Sequence, residues 1–431
     1  MTDPLPVTTA HGFDLLAILV TAAALAAWIN HRFVRLPRTI GVMVIALAGS
    51  VVLVTLGRAG IDVAHVLEST LEAVDFDDTL LNGMLGALLF AGSLHLDIND
   101  IARQKRVIAL LATAGVLLST AIIGVGSWWL FNTLGIGVPF IYCLLFGALI
   151  SPTDPIAVGA ILTRLGAPHS LRMKVQGESL FNDGIGVVLF VGLLGVASGG
   201  RHLSALAVAQ LFLVEALGGL VYGAAIGWVV YRLLKSIDNY QVEILVTLGL
   251  VTGGYTLAQH LHVSGPLAMV VAGLLVGNRG RALAMSDRTR DRLDAFWELA
   301  DEFLNAVLFV MIGMEVVVLE LRASYIVAGM LIVPLVVLAR FASVGSAVQA
   351  LKRWRSFSRH AVKVITWSGL RGGISVALAL SLPNGTERDL LVTVTYLVVC
   401  FSIVVQGLTI EPLLQRLYGS SSMATDVEGH R

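Results

Sequence analysis

The sequence predicts an all-α polytopic membrane protein, and three observations carry that prediction. Hydrophobic residues make up 56% of the 431-residue chain and charged residues 13%, about half the charged share of an ordinary globular domain. Mean hydropathy is +0.84. Apolar runs of about twenty residues, each long enough to cross about 30 Å of hydrocarbon as a helix, recur from end to end with short joins. Thirteen such runs stand at about 14–34, 39–57, 79–99, 107–134, 139–163, 173–199, 205–235, 240–261, 264–279, 294–320, 324–349, 359–383 and 389–418. The second and ninth are the shortest.

Basic residues test that count independently, because cytoplasmic joins collect lysine and arginine. With the N-terminus outside, 23 of the 29 Lys and Arg residues fall in alternate joins and in the C-terminal tail. The groups are Arg32, Arg35 and Arg38, then Arg103, Lys105 and Arg106, and so on to Arg416 and Arg431. Only Arg58, Arg201, Arg322 and Arg388 lie in the opposite joins, and the stretch from Asp62 to Asp78 on that side is strongly acidic. Arg340 and Arg371 lie within spans. A miscounted span would scramble this asymmetry, so the expected topology has an odd number of crossings, with the C-terminus in the cytoplasm.

Whole-chain features exclude several function classes. Formal net charge is zero, which leaves no nucleic-acid footprint. Cys143 and Cys400 fall in apolar runs and imply neither a disulfide nor a metal framework. The first residues, MTDPLPVTTAHGFD, lack the basic start of a cleaved signal peptide, so the first span is expected to stay in the mature protein. No nucleotide-binding loop occurs, no cofactor is implied, and the tail SSSMATDVEGHR is polar enough to be disordered.

Taken in order, the spans differ in their polar content. In the third, His95 and Asp97 of SLHLD sit near the cytoplasmic end, where capping accounts for them. The fifth contains LLFGALISPTDPIAVGAIL, residues 144–162, with Pro152, Thr153, Asp154 and Pro155 at its middle. An ionisable residue there costs about 2.5–3.5 kcal/mol on insertion scales and marks an ion or proton path. The two prolines break helical bonding at the same depth and free carbonyls near Thr153. A carboxylate beside loose carbonyls is a ready cation site; the alternative is a proline kink with a locally bonded aspartate.

The sixth span weighs against the kink. It opens with KVQGESLFNDGIGVVL, and at about 100° per residue Glu178 lies over Asn182 and Ser179 over Asp183. Two carboxylates, Asp154 and Asp183, can then face each other in a low dielectric, where they must bind a cation or take up a proton. A small hard cation takes oxygen ligands, which the carboxylates, the Ser179 hydroxyl and the Thr153 carbonyl could supply.

Later spans add further charges. His169, His260 and His262 lie in joins as exposed histidines that could sense pH. Glu215, Glu243, Asp301, Glu302 and Glu315 fall within or beside spans, where some would line a cavity and funnel cations. Arg340 is expected to snorkel toward the inner surface. The twelfth span carries WSGLRGGISVALALSLP, in which Arg371 stands among Gly369, Gly372 and Gly373 and marks a second interrupted helix. Glu178 is its expected partner, holding the charge balance of the site. The two broken spans are the middle members of spans four to six and eleven to thirteen, seven apart and hence oppositely oriented, which is the punctuation of an inverted-repeat transporter.

SPTDP, GESLFND and GLRGG, in this order and spacing, resemble the signatures of the monovalent cation:proton antiporter family that contains NhaP-type and eukaryotic Na⁺/H⁺ exchangers. LLFAGSLHLD in the third span and FWELADEFLNAVLFVMIGMEV in the tenth extend the likeness over nearly the whole membrane domain. The resemblance implies a core of two inverted three-helix units with crossing interrupted helices, moving against a scaffold that forms a homodimer. Residues 1–106 would belong to the scaffold, 107–199 to the first core unit, 200–323 to linker and scaffold, 324–418 to the second core unit and 419–431 to a cytoplasmic tail. It implies an ion site of Asp154, Asp183, Ser179 and the Thr153 carbonyl, with Asn182 steadying the crossing and a Glu178–Arg371 pair stabilising the core. Members with Asn-Asp, as at Asn182 and Asp183, are generally electroneutral. Several relatives carry an acidic residue where this chain has Ala91, so a ligand from the third span is missing.

The expected function is alternating-access Na⁺/H⁺ exchange in the inner (plasma) membrane, with the ion and protons competing for one midplane site. Rivals are a K⁺ or Li⁺ antiporter, a channel with the same lining, and an intramembrane aspartyl protease. The protease is disfavoured because Asn182 precedes Asp183 where its GxGD context would need glycine.

Overall fold

In the computed structural model of the chain, residues 12–58, 79–154, 156–165, 167–198, 205–280, 285–315, 322–352, 357 and 360–422 are described. Every regular element among them is helical apart from one isolated bridge pair. The helices follow the thirteen apolar runs one for one. α1 covers residues 12–34, α2 Arg38–Arg58, α3 79–94 and α4 Ile98–Thr133. The fifth is split into α5a, Phe140–Ile150, and α5b, Ile156–Arg164. There follow α6, His169–Ala197, α7, Ala205–Leu234, α8, Tyr240–His260, α9, 265–280, α10, Asp287–Glu315, and α11, Ala323–Leu351. The twelfth is split into α12a, Ala361–Trp367, and α12b, Gly373–Leu380, and α13 covers 386–422.

Among the described residues, seven of these helices are long and apolar enough to cross a membrane by length and composition. The others are interrupted, short like α9, or, like α10, charged through their first half. Several helices also outrun their apolar stretch. α4 begins at Ile98 instead of residue 107, because Asp97 caps it, its side chain accepting from Asn99 N at 2.7 Å. The first turns, INDIARQKR, are an amphipathic extension that hydropathy alone does not register. α10 likewise starts at Asp287, and α13 runs on to Ser422, into the tail expected to be disordered; residues 423–431, Pro155 and the acidic stretch 62–78 lie outside the described residues.

Small residues let the rods approach closely, as packing in lipid requires. α5a lies on α4 at Gly147, where a Cβ would stand 3.1 Å from Thr120 Cα. One buried core joins Phe131, Phe146, Phe190, Ile312, Ile332 and Leu391 from α4, α5a, α6, α10, α11 and α13. A second joins Phe90, Tyr255, Met269 and Trp297 from α3, α8, α9 and α10, with the Phe90 and Trp297 ring centroids 4.8 Å apart. Large apolar side chains such as Val214, Leu217, Val221 and Trp228 stand exposed along α7, a face suited to lipid. Between the two split helices lies the polar centre of the molecule.

Candidate functional site

Both interruptions leave the helical backbone, and they lie against each other. Pro152 has no N–H to continue α5a, and the glycines of Gly369, Gly372 and Gly373 end α12a and restart it as α12b. Asp154 N donates to Leu370 O at 2.7 Å, the single bridge that ties one break to the other. Arg371 serves the backbone groups that the break releases: its Nη1 donates to Ser151 O and, at 2.7 Å, to Pro152 O. A guanidinium there meets the partial negative charge of the α5a C-terminus. Arg371 N donates to Ser402 Oγ on α13 at 2.9 Å, so the second break is anchored as well. Gly372 is required by close approach, since a Cβ on it would stand 2.6 Å from Asp154 Oδ2. The Asp154 carboxylate therefore lies at the N-terminal end of α12b, where the helix dipole favours negative charge.

α6 supplies the other wall. Asp183 is the central residue of this 29-residue helix, with about 21 Å of helix on either side. Glu178 and Ser179, about one turn earlier, and the adjacent Asn182 form the polar wedge expected from their spacing. Asn182 Nδ2 donates to Glu178 Oε1 at 2.8 Å and to Thr153 Oγ1 at 2.9 Å, while Asn182 Oδ1 accepts from Thr153 N at 3.2 Å. Thr153 Oγ1 also lies 2.9 Å from Ser179 Oγ. These bonds clamp the first break to α6 and bring Asp154 beside Asp183, which feels the charges of Asp154, Glu178 and Arg371. Asp183 is 4% exposed, and among the described residues no side chain donates a hydrogen bond to its carboxylate. Its acceptor oxygens thus remain available to a cation or a proton.

Two sequence expectations are overturned here. Glu178 does not pair with Arg371. Its partner is Arg340 of α11, which donates from Nη1 to Oε1 at 2.7 Å and from Nη2 to Oε2 at 2.6 Å. Nor does Arg340 snorkel, being 4% exposed. The physical reason is reach: Arg340 stands eleven residues before Leu351, the end of α11, about 16 Å of helix, beyond an arginine side chain. That distance was a signal the sequence contained. Choosing between the two arginines required the packing of α11 against α4 and α12a, from which Arg340 reaches Glu178 and leaves Arg371 to the carbonyls of the break.

The remaining polar residues divide by environment. Asp97 caps α4, as expected, and exposed His169 lies 3.4 Å from Asp100. Glu302 pairs with Arg38 of α2. Asp301 accepts a hydrogen bond from Asn305 at 3.1 Å and feels the charge of Asp154. Glu243 is buried on α8, Glu215 half-buried on α7 and Ala91 buried on α3. The side chain of Glu315 lies outside the described residues.

The family model described as "Sodium/hydrogen exchanger, transmembrane" matches residues 19–416. The chain belongs to the sodium/hydrogen exchanger family. The Na⁺/H⁺ antiporter NhaP of Pseudomonas aeruginosa is 47% identical over 422 residues, covering 97% of this chain and 100% of the relative. The Na⁺/H⁺ antiporter NhaH of Halobacillus dabanensis is 32% identical, covering 94% and 99%. The solved structure of the sodium proton antiporter MjNhaP1 from Methanocaldococcus jannaschii superposes with a TM-score of 0.76 at 18% identity, covering 97% of this chain and 100% of that one. This last likeness shows a shared fold. Membership in the exchanger family makes the chain a multi-pass membrane transporter and removes the aspartyl-protease reading.

Proposed function

We propose that this member of the exchanger family exchanges Na⁺ for protons by alternating access, through the site formed by Asp154, Asp183, Ser179 and Thr153. The observation that carries the reading is Asp183: a buried carboxylate at the centre of a 29-residue apolar helix, beside a second carboxylate on an interrupted helix. Two such groups repel when both are charged and bare. A cation relieves that repulsion by coordination and a proton by neutralisation, so each excludes the other. Competition of this kind, combined with a core that opens to one side at a time, couples the two flows.

In this reading Asp154 and Asp183 carry the ion, Ser179 and the Thr153 carbonyl complete its oxygen ligands, and Asn182 holds the crossing in register. Glu178 with Arg340, and Arg371 with the freed carbonyls, keep the remaining buried charge compensated. Thirteen crossings, with the N-terminus outside, are supported by the run count and by the bias of basic joins. The seven-span offset between α4–α6 and α11–α13, which inverts one triplet relative to the other in the span count, supports an inverted-repeat core moving against a scaffold of the other helices, through which the protein would dimerise. Asn182 beside Asp183 supports electroneutral exchange. The relatives named as Na⁺/H⁺ antiporters support sodium as the ion.

The test is sodium-dependent dissipation of a pH gradient in proteoliposomes. Wild-type protein is expected to dissipate it and Asp183→Asn to lose at least about 100-fold in rate, as removal of an essential group does. Full exchange by the Asp183→Asn protein would overturn the assignment.

A further inference from the structure

Asn305 of α10 is 1% exposed, yet its amide is only half satisfied. Nδ2 donates to Asp301 O at 2.8 Å and to Asp301 Oδ1 at 3.1 Å, which orients the amide. Oδ1, on the same group, has no hydrogen-bond partner among the described residues. A buried acceptor left in that state costs about 1–3 kcal/mol, which a water or an ion relieves.

The neighbourhood names the ligand's chemistry. Asp301, Asn305 and Leu308 lie on one face of α10 at helical spacing. Leu308 packs on Gly373, where a Cβ would stand 2.9 Å from Leu308 Cδ2, and the adjacent Gly372 carries the Asp154 carboxylate. Asp301 is partly exposed and feels the charge of Asp154. The row therefore leads from the Asp154 site toward the N-terminal end of α10, about 10 Å along the helix from Leu308 to Asp301. That end bears Arg288, Arg290 and Arg292, which mark the side expected to be cytoplasmic. Glu302, next in the chain, is already paired with Arg38, whereas no basic side chain among the described residues is paired with Asp301. An amide oxygen beside a carboxylate whose one hydrogen bond from a described side chain comes from the same amide suits a hard monovalent cation.

We infer that Asp301 and Asn305 form a transit station for the transported cation on the cytoplasmic side of the main site, supplying the first protein oxygens that replace its hydration water before it reaches Asp154. The inference rests on the exchange reading above. Asp301 attracts the ion, Asn305 Oδ1 takes the place of a water, and the step to Asp154 exchanges one carboxylate for another without a bare intermediate.

Sided kinetics test it, with Na⁺ as the probe, in inverted vesicles that present the cytoplasmic face and in right-side-out vesicles. Asp301→Asn and Asn305→Leu are each expected to raise the half-saturating Na⁺ concentration at the cytoplasmic face about fivefold, in the range of local field effects. The maximal rate and the half-saturation at the opposite face should hold. The swapped variant Asp301→Asn with Asn305→Asp, which restores one carboxylate and one amide, should recover most of the loss. Should Asn305→Leu not fold, Asp301→Asn alone decides. Wild-type exchange with unchanged cytoplasmic half-saturation in the single variants, or equal shifts at both faces, overturns the inference while leaving the exchange reading intact. Wild-type vesicles with no sodium-dependent exchange overturn both.

Discussion

Arg340 and Glu178, 162 positions apart in the chain, form a buried two-pronged ion pair at 2.7 and 2.6 Å that joins α11 to α6. The guanidinium passes over the second break at Gly369, where a Cβ would stand 2.8 Å from Arg340 Nε. One pair thus fastens the helix carrying Asp183 to the neighbour of the interrupted helix carrying Arg371. Glu178 is 0% exposed, so neither partner can turn to water if the other is removed.

Arg340→Met strands the Glu178 carboxylate and should cost about 3–5 kcal/mol, the usual loss on breaking a buried pair. Adding Glu178→Gln to Arg340→Met should recover part of that loss, because no bare charge then remains. Thermal unfolding of the purified protein in detergent reads the difference. A double variant less stable than Arg340→Met alone would contradict the pairing.

Gly372→Ala places a methyl group against the Asp154 side chain, 2.6 Å from its carboxylate Oδ2 and 2.9 Å from its Cβ. Displacing that carboxylate should weaken sodium binding at least about tenfold, the scale of a small misplacement at a working site. The control is Gly345→Ala on α11, where nothing lies within 4 Å of the added Cβ; it should exchange like the wild type. Isothermal titration with Na⁺ on both proteins makes the comparison, and equal affinities would separate Asp154 from the ion.

Competition at one site gives a signed pH dependence. As pH falls, protons occupy the carboxylates, so apparent sodium affinity must fall with it. Where one proton is displaced per ion, the half-saturating Na⁺ concentration should rise about tenfold per pH unit on the acid limb, and more steeply if two are displaced. The maximal rate at saturating Na⁺ should change far less. Transport assayed over a grid of pH and Na⁺ concentration checks this, and a half-saturation independent of pH would exclude a shared site.

Residue order alone determined much of this molecule. Chemistry that is local to one helix was legible: thirteen apolar runs, the breaks at Pro152 and at Gly369 to Gly373, and the stacking of Glu178 with Asn182 depend on hydropathy, missing N–H groups and the helical repeat. Helix ends were legible less well, since α4 and α10 extend through polar, amphipathic turns that a hydropathy window does not count. Which distant groups meet was decided only by tertiary structure. Arg340 and Arg371 are chemically the same and both lie in apolar spans, and charge balance alone allows Glu178 to accept either. The choice follows from α11 packing against α4 and α12a, which brings Arg340 within reach of Glu178, and from the Ser151 and Pro152 carbonyls facing Arg371. Long-range pairing is a property of helix packing, and no periodicity within a single span encodes it.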